Sequence, residues 1–213
     1  MRSALYHVIR PTFIIGCLLL LLAQSGRASE QRILVLGDSI SAAYGMSLDQ
    51  GWVAQLATEL QQDYPQVTVV NASISGETTA GGLRRLPSLL EQHQPSVVII
   101  ELGANDGLRG YPLQTLRSNL SALATTARDS GARVLILPME IPPNYGARYT
   151  SGFRESFREV ADETGSALAP FLLQGVATDP ALVQDDGLHP TVDAQPLILA
   201  NVLPSINDVL AEL

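Results

Sequence analysis

Lysine is missing from this chain: all thirteen basic residues are arginine. That excludes Schiff-base chemistry and a Walker-type phosphate loop, both of which need a lysine. Cysteine is nearly missing too, with Cys17 the one copy, and histidine occurs only at His7, His93 and His189. Positive charge is scarce relative to negative. Thirteen arginines face twenty-one acidic residues, a net charge of −8, which disfavours nucleic acid as a partner because phosphate is repelled. Aromatic residues are only 5% of the chain. What is present is apolar: 46% hydrophobic against 16% charged over 213 residues, which excludes a disordered chain and predicts one domain with a sizeable core.

Cys17 falls in a segment read as a secretory leader. Arg2 and Arg10 precede an uninterrupted apolar run from Phe13 to Ala23. The run is shorter than the ~20 residues of a spanning helix and fits the apolar stretch of a signal peptide. Gly26 and Ala28 then supply the small pair for cleavage after Ala28, with cleavage after Ser25 as second choice. The Ile14–Cys17 string also resembles a lipoprotein cleavage box, but cutting there would leave Leu18 to Leu22 behind the cysteine. The expected layout is a signal peptide over 1–28 and one domain over 29–213. Without the leader no cysteine remains and only His93 and His189 are left. Disulfides, thiolate nucleophiles, cysteine-ligated zinc and histidine-cluster metal sites are thereby excluded.

The rest of the chain alternates short apolar runs with amphipathic stretches. Strands are predicted at 33–36, 67–72, 97–100 and 134–137, with a weaker fifth at 167–171. Helices are predicted at 51–64, 83–93, 113–130, 153–164 and 193–213, the last with a bend at Pro204. Continuous apolar strands separated by helices indicate an α/β fold with a parallel sheet covered on both faces, a three-layer α/β/α sandwich. In such sheets ligands bind beyond the carboxyl ends of the strands, so the informative residues follow each strand.

The first strand runs into Gly37-Asp38-Ser39-Ile40-Ser41. A serine at a strand-to-helix turn exposes its hydroxyl beside its own N–H, which suits a nucleophile, though an ordinary N-cap looks the same. The second and third strands run into loops containing Gly76 and Gly103-Ala104-Asn105-Asp106. Such loops can converge backbone N–H groups and a side-chain amide on an oxyanion, or can simply be tight turns. Near the end, Asp186-Gly187-Leu188-His189-Pro190 puts an acid three residues before a histidine, a spacing that suits an oriented general base and equally suits a solvated surface turn.

Together, and in this order, the blocks 37–41, Gly76, 103–106 and 186–190 resemble the four signature blocks of the SGNH, or GDSL-type, hydrolases. The likeness spans residues 32–213. It is strongest to the bacterial periplasmic branch of arylesterases, acyl-CoA thioesterases I and lysophospholipases, through Asn71–Gly76, Gly103–Gly110 and Pro142–Gly146. The departure of Ile40 from the family's leucine conserves volume. The resemblance implies a flavodoxin-like sheet of five parallel strands in the order 2-1-3-4-5. It implies Ser39 as nucleophile, His189 as general base and acid, and Asp186 as its orienter. The oxyanion hole it implies is the Ser39 and Gly76 N–H groups with the Asn105 amide. No metal and no cofactor are implied. The expected activity is hydrolysis of carboxylic esters and acyl thioesters (aryl esters, acyl-CoA, lysophospholipid) through an acyl-enzyme, in the periplasm or outside the cell. The expected partner is a small-molecule substrate with an acyl chain. Neither nucleic acid nor stable membrane insertion of the mature chain is expected, and the chain is expected to be a monomer.

Leu108, Tyr111, Ile141, Pro142 and Tyr145, in the loops after strands three and four, are expected to wall an acyl pocket. Trp52 is read as core, His93 as a helix end, Arg84-Arg85 as a solvated face, and Asp38 and Asp106 as acids bonding nearby backbone. A carbohydrate acetyl esterase with the same triad is the alternative, although Trp52 is its one candidate stacking tryptophan. A non-catalytic binding domain is disfavoured because Ser39, Asn105 and His189 are all present. A metallophosphoesterase is disfavoured by two histidines.

Overall fold

Five apolar segments pair side by side, all parallel, in a computed structural model that describes residues 31–213. The expected leader, with Cys17, lies outside the described residues. The strands are β1 (Gln31–Gly37), β2 (Val67–Asn71), β3 (Val97–Glu101), β4 (Arg133–Ile136) and β5 (Ala167–Leu168), in the order β2-β1-β3-β4-β5. Ile33 to Leu36 and Val98 to Ile100 are completely buried. A sheet enclosed on both faces leaves no solvent side for alternation, so these central segments are unbroken apolar runs. Each such side chain contributes about 1.5–3 kcal/mol by leaving water.

The helices are α1 (Trp52–Asp63), α2 (Thr79–His93), α3 (Ala104–Leu108), α4 (Leu113–Asp129), α5 (Ala147–Thr164) and α6 (Gln195–Ala211). Helices α1 and α6 pack together on one face of the sheet, and α2, α4 and α5 line up on the other. Trp52 is fully buried in the core, as expected. Helix α2 starts at Thr79, earlier than the predicted 83, and takes in the buried Gly81 and Gly82. A Cβ on Gly82 would stand 2.4 Å from Leu102 Cδ1, so the helix lies against the chain there only because the side chain is missing. Helix α5 likewise starts at Ala147, before the predicted 153. The fifth strand is two exposed residues long where five were expected. Among the described residues no helix is long and apolar enough to cross a membrane.

Register fixes the neighbourhood of the site. Residue 37 at the end of β1 lies opposite Glu101 at the end of β3, and Val35 lies opposite Asn71 of β2. The loops after β1, β2 and β3 therefore leave the same edge of the sheet side by side. Near them comes the segment before α6, folded back by a bridge between Val183 and Pro190.

Candidate active site

Ser39 sits in the turn after β1, almost buried. Its Oγ lies 2.9 Å from His189 Nε2, and His189 Nδ1 lies 2.6 Å from Asp186 Oδ2. The second Asp186 oxygen accepts the backbone N–H groups of Leu188 and His189, at 2.9 and 3.0 Å. These bonds, the His189 bonds foremost, hold the carboxyl down at about 2, so it is ionised at any working pH. An ionised Asp186 keeps the proton of His189 on Nδ1 and leaves the Nε2 lone pair to accept the serine proton. Gln184 secures the loop: its N–H donates to His189 O at 2.7 Å, and its Nε2 donates to Pro190 O and to Tyr44 O at 2.7 and 2.9 Å. The Tyr44 ring covers the imidazole at a centroid distance of 4.2 Å.

The three expected oxyanion donors, Ser39, Gly76 and Asn105, line one cleft. Neither the Ser39 nor the Gly76 backbone N–H has a partner among the described residues. Gly76 has φ +78°, a left-handed conformation that costs other residues about 1 kcal/mol or more. Asn105 Nδ2 donates one hydrogen to Asp38 Oδ2 at 3.1 Å, which leaves its second hydrogen for the cleft. Asp38 is itself buried. Burial raises its carboxyl to about 6, against the opposing pull of bonds from the Ile40 N–H and Asn105.

Of the two acids expected to bond nearby backbone, Asp38 does so and Asp106 does not. Asp38 does bond nearby backbone at Ile40, but it also reaches Asn105. The Asp106 carboxylate does not bond nearby backbone: it accepts from Thr79 N at 2.9 Å and Thr79 Oγ1 at 2.6 Å, tying the start of α2 to α3. Of the arginine pair, Arg85 is not a solvated face residue, since it pairs with Glu77 at 2.8 Å and donates to Ala72 O.

The cleft encloses about 220 Å³. Of the five expected wall residues, Leu108 and Pro142 line it. Tyr111, Ile141 and Tyr145 do not. Ile141 turns into the core, filling the space over Gly107, where a Cβ would lie 2.7 Å from Ile141 Cγ2. Tyr145 turns back to donate to Leu108 O at 2.8 Å, so it supports the wall from behind. Tyr111 lies at the surface, its carbonyl accepting from Tyr149 Oη. The walls sequence reasoning missed are Ile40, Met139, Leu173 and Leu188, with Glu140 on the rim held by Arg154 at 2.7 Å. Leu188, between Asp186 and His189, is the one whose position in the triad loop could have signalled it.

Residues 35–195 match the model of the GDSL-like Lipase/Acylhydrolase family. The chain belongs to this family. It is a hydrolase of acyl esters. The chain is 48% identical to esterase TesA of Pseudomonas aeruginosa over 201 residues, 94% of this chain and all of the relative. It is 42% identical to thioesterase 1/protease 1/lysophospholipase L1 of Escherichia coli K12 over 85% of this chain and 86% of the relative. Among solved structures, the psychrotrophic esterase EstA from Pseudoalteromonas, inhibited by monoethylphosphonate, superposes with a TM-score of 0.82. It is 44% identical, with 85% of this chain and 99% of that one covered.

Proposed function

We propose that this hydrolase cleaves carboxylic esters and acyl thioesters through an acyl-enzyme on Ser39. The observation that carries the reading is the continuous relay from Ser39 Oγ to His189 Nε2 at 2.9 Å and from His189 Nδ1 to Asp186 at 2.6 Å, opening on two N–H groups that have no partner among the described residues. Ser39 Oγ attacks the substrate carbonyl carbon as its proton passes to His189 Nε2. The carbonyl oxygen becomes an oxyanion held by the Ser39 and Gly76 N–H groups and the Asn105 amide. Collapse expels the alcohol or thiol, which takes the proton from His189. Water, deprotonated by the same imidazole, then releases the acid and restores Ser39. Asp186 stabilises the imidazolium throughout without taking its proton.

The acyl chain is assigned to the cleft walled by Ile40, Leu108, Met139, Pro142, Leu173 and Leu188, an apolar surface suited to methylenes. A carbohydrate acetyl esterase fits less well, because Trp52 is completely buried and cannot stack on a sugar. The proposal extends to removal of residues 1–28 and release of a monomeric enzyme into the periplasm. The test is a specificity profile of the mature protein on p-nitrophenyl esters from acetyl to palmitoyl, on acyl-CoA and on lysophospholipid. Rates rising beyond acetyl, all lost in Ser39→Ala, support the reading. A sharp fall beyond acetyl contradicts it.

A further inference from the structure

Glu101, the last residue of β3, is a completely buried acid that the mechanism above does not use. Its Oε2 accepts two hydrogen bonds, from the Asp38 N–H at 3.1 Å and from Ser41 Oγ at 2.8 Å. Those two residues bracket the nucleophile. The contact is built for closeness: opposite Glu101 in the sheet stands Gly37, where a Cβ would come within 2.6 Å of Oε2. Asp38 in turn holds the Ile40 N–H with one carboxylate oxygen and the Asn105 amide with the other, each at 3.1 Å. One side chain beneath the sheet edge is thus linked to the nucleophile turn directly and to an oxyanion donor at one remove.

We propose that Glu101 is a positioning residue for this reaction, acting as an uncharged carboxylic acid that pins both flanks of Ser39 and, through Asp38, sets the Asn105 amide. This rests on the reading of Ser39 and Asn105 given above. The uncharged form follows from the surroundings. Glu101 Oε1 is buried without a hydrogen-bond partner among the described residues, and since Oε2 already accepts two bonds the proton of the neutral acid sits on Oε1, where a hydroxyl costs less to bury than carboxylate charge. The Asp38 carboxyl is near enough for its charge to act on Glu101, and two buried carboxylates close together cannot both ionise cheaply. Burial first and the Asp38 charge second hold the Glu101 proton on well above the ordinary carboxylate range. A glutamine has the same shape and offers the same acceptor to Asp38 N–H and Ser41 Oγ. A leucine fills similar space but leaves both donors unpaired.

The experiment measures kcat and KM on p-nitrophenyl butyrate at pH 7.5, roughly mid-range for catalysis by a neutral imidazole, for wild type, Glu101→Gln, Glu101→Leu and Ser39→Ala, with circular dichroism on each. Expected is a fall in kcat of about 30-fold or more in Glu101→Leu with KM within about twofold, as for displaced catalytic groups. Glu101→Gln should recover kcat to within about threefold of wild type, since a neutral acceptor is retained. Should the leucine variant not fold, Ser41→Ala replaces it and is expected to lose about three- to tenfold in kcat at unchanged KM, one hydrogen bond's worth. A glutamine variant as slow as the leucine variant overturns the uncharged role. Wild-type kcat in Glu101→Leu, or in Ser41→Ala where that variant is used, overturns positioning altogether. Activity surviving in Ser39→Ala would instead overturn the reading of the site itself, which keeps the two failures apart.

Discussion

Replacing Asn105 with alanine isolates one proposed oxyanion donor without touching the proton relay. The side chain has two amide hydrogens, one committed to Asp38 Oδ2 at 3.1 Å, and the residue lines the cleft, so the second is available to an oxyanion there. Losing a preorganised oxyanion donor typically costs about 2.7–4 kcal/mol, or roughly 100- to 1,000-fold in kcat. The Ser39 and Gly76 N–H groups remain, so activity should fall to that level and not to zero. The ground-state carbonyl carries little charge, so KM should stay within about twofold. Steady-state hydrolysis of p-nitrophenyl butyrate at pH 7.5, with thermal unfolding to confirm the fold, gives kcat and KM. Normal kcat with a raised KM would show that Asn105 binds substrate in the ground state, and the oxyanion assignment would fail.

Three further outcomes follow from the same geometry. Asp186→Asn should lose most of kcat, because an amide cannot stabilise the imidazolium, whereas Asp185→Asn should change kcat by less than about threefold, since Asp186 alone is bonded to the imidazole; equal losses on the same ester substrate would refute the choice between the neighbours. For stability, Asp186 has a lowered folded pKa of about 2, so its contribution is present above the ordinary carboxylate range and disappears as pH falls through about 2. With the group largely exposed, the wild type should exceed Asp186→Asn by under about 1 kcal/mol near neutrality in urea unfolding, the gap closing in acid; a gap widening in acid would be contrary. Glu101 has the opposite sign. Its folded pKa is raised, so its contribution is complete below the unfolded value and is lost as pH rises through the folded one. Glu101→Gln should gain on the wild type in urea midpoint as pH rises, and a midpoint difference that does not change with pH would contradict the buried-acid account.

The parts of the molecule legible in the sequence are those governed by local chemistry. The buried strands announced themselves because a parallel sheet covered on both faces demands unbroken apolar runs, and the Ile33–Leu36 and Val97–Ile100 segments obey it. The triad loop was legible for a similar reason: Asp186 bonds the N–H groups two and three residues ahead and the imidazole of the same turn, so spacing carries the geometry. Features set by distant partners stayed hidden. Glu101 reads as the tail of a strand until register puts it opposite Gly37. Asp106 reads as a turn acid until Thr79 is found beside it. Composition could nominate Ile141 and Tyr145 as pocket walls but could not say which way they face, and packing against Gly107 and a hydrogen bond to Leu108 turn both away. Helix α3 was invisible because five residues containing Asn105, Asp106 and Gly107 have little helical propensity of their own. Its N-cap, Gly103, takes φ +120°, and Asp106 anchors it to α2.

The central claim is that Ser39 is the nucleophile, and active-site labelling tests it most directly. The protein is treated with a p-nitrophenyl phosphonate ester, digested, and mapped by mass spectrometry, with His189→Ala treated in parallel. The account predicts one adduct, on the peptide containing Ser39, formed in step with loss of esterase activity and suppressed when His189 is removed. An adduct on any other residue, or complete inhibition with Ser39 unmodified, would contradict it.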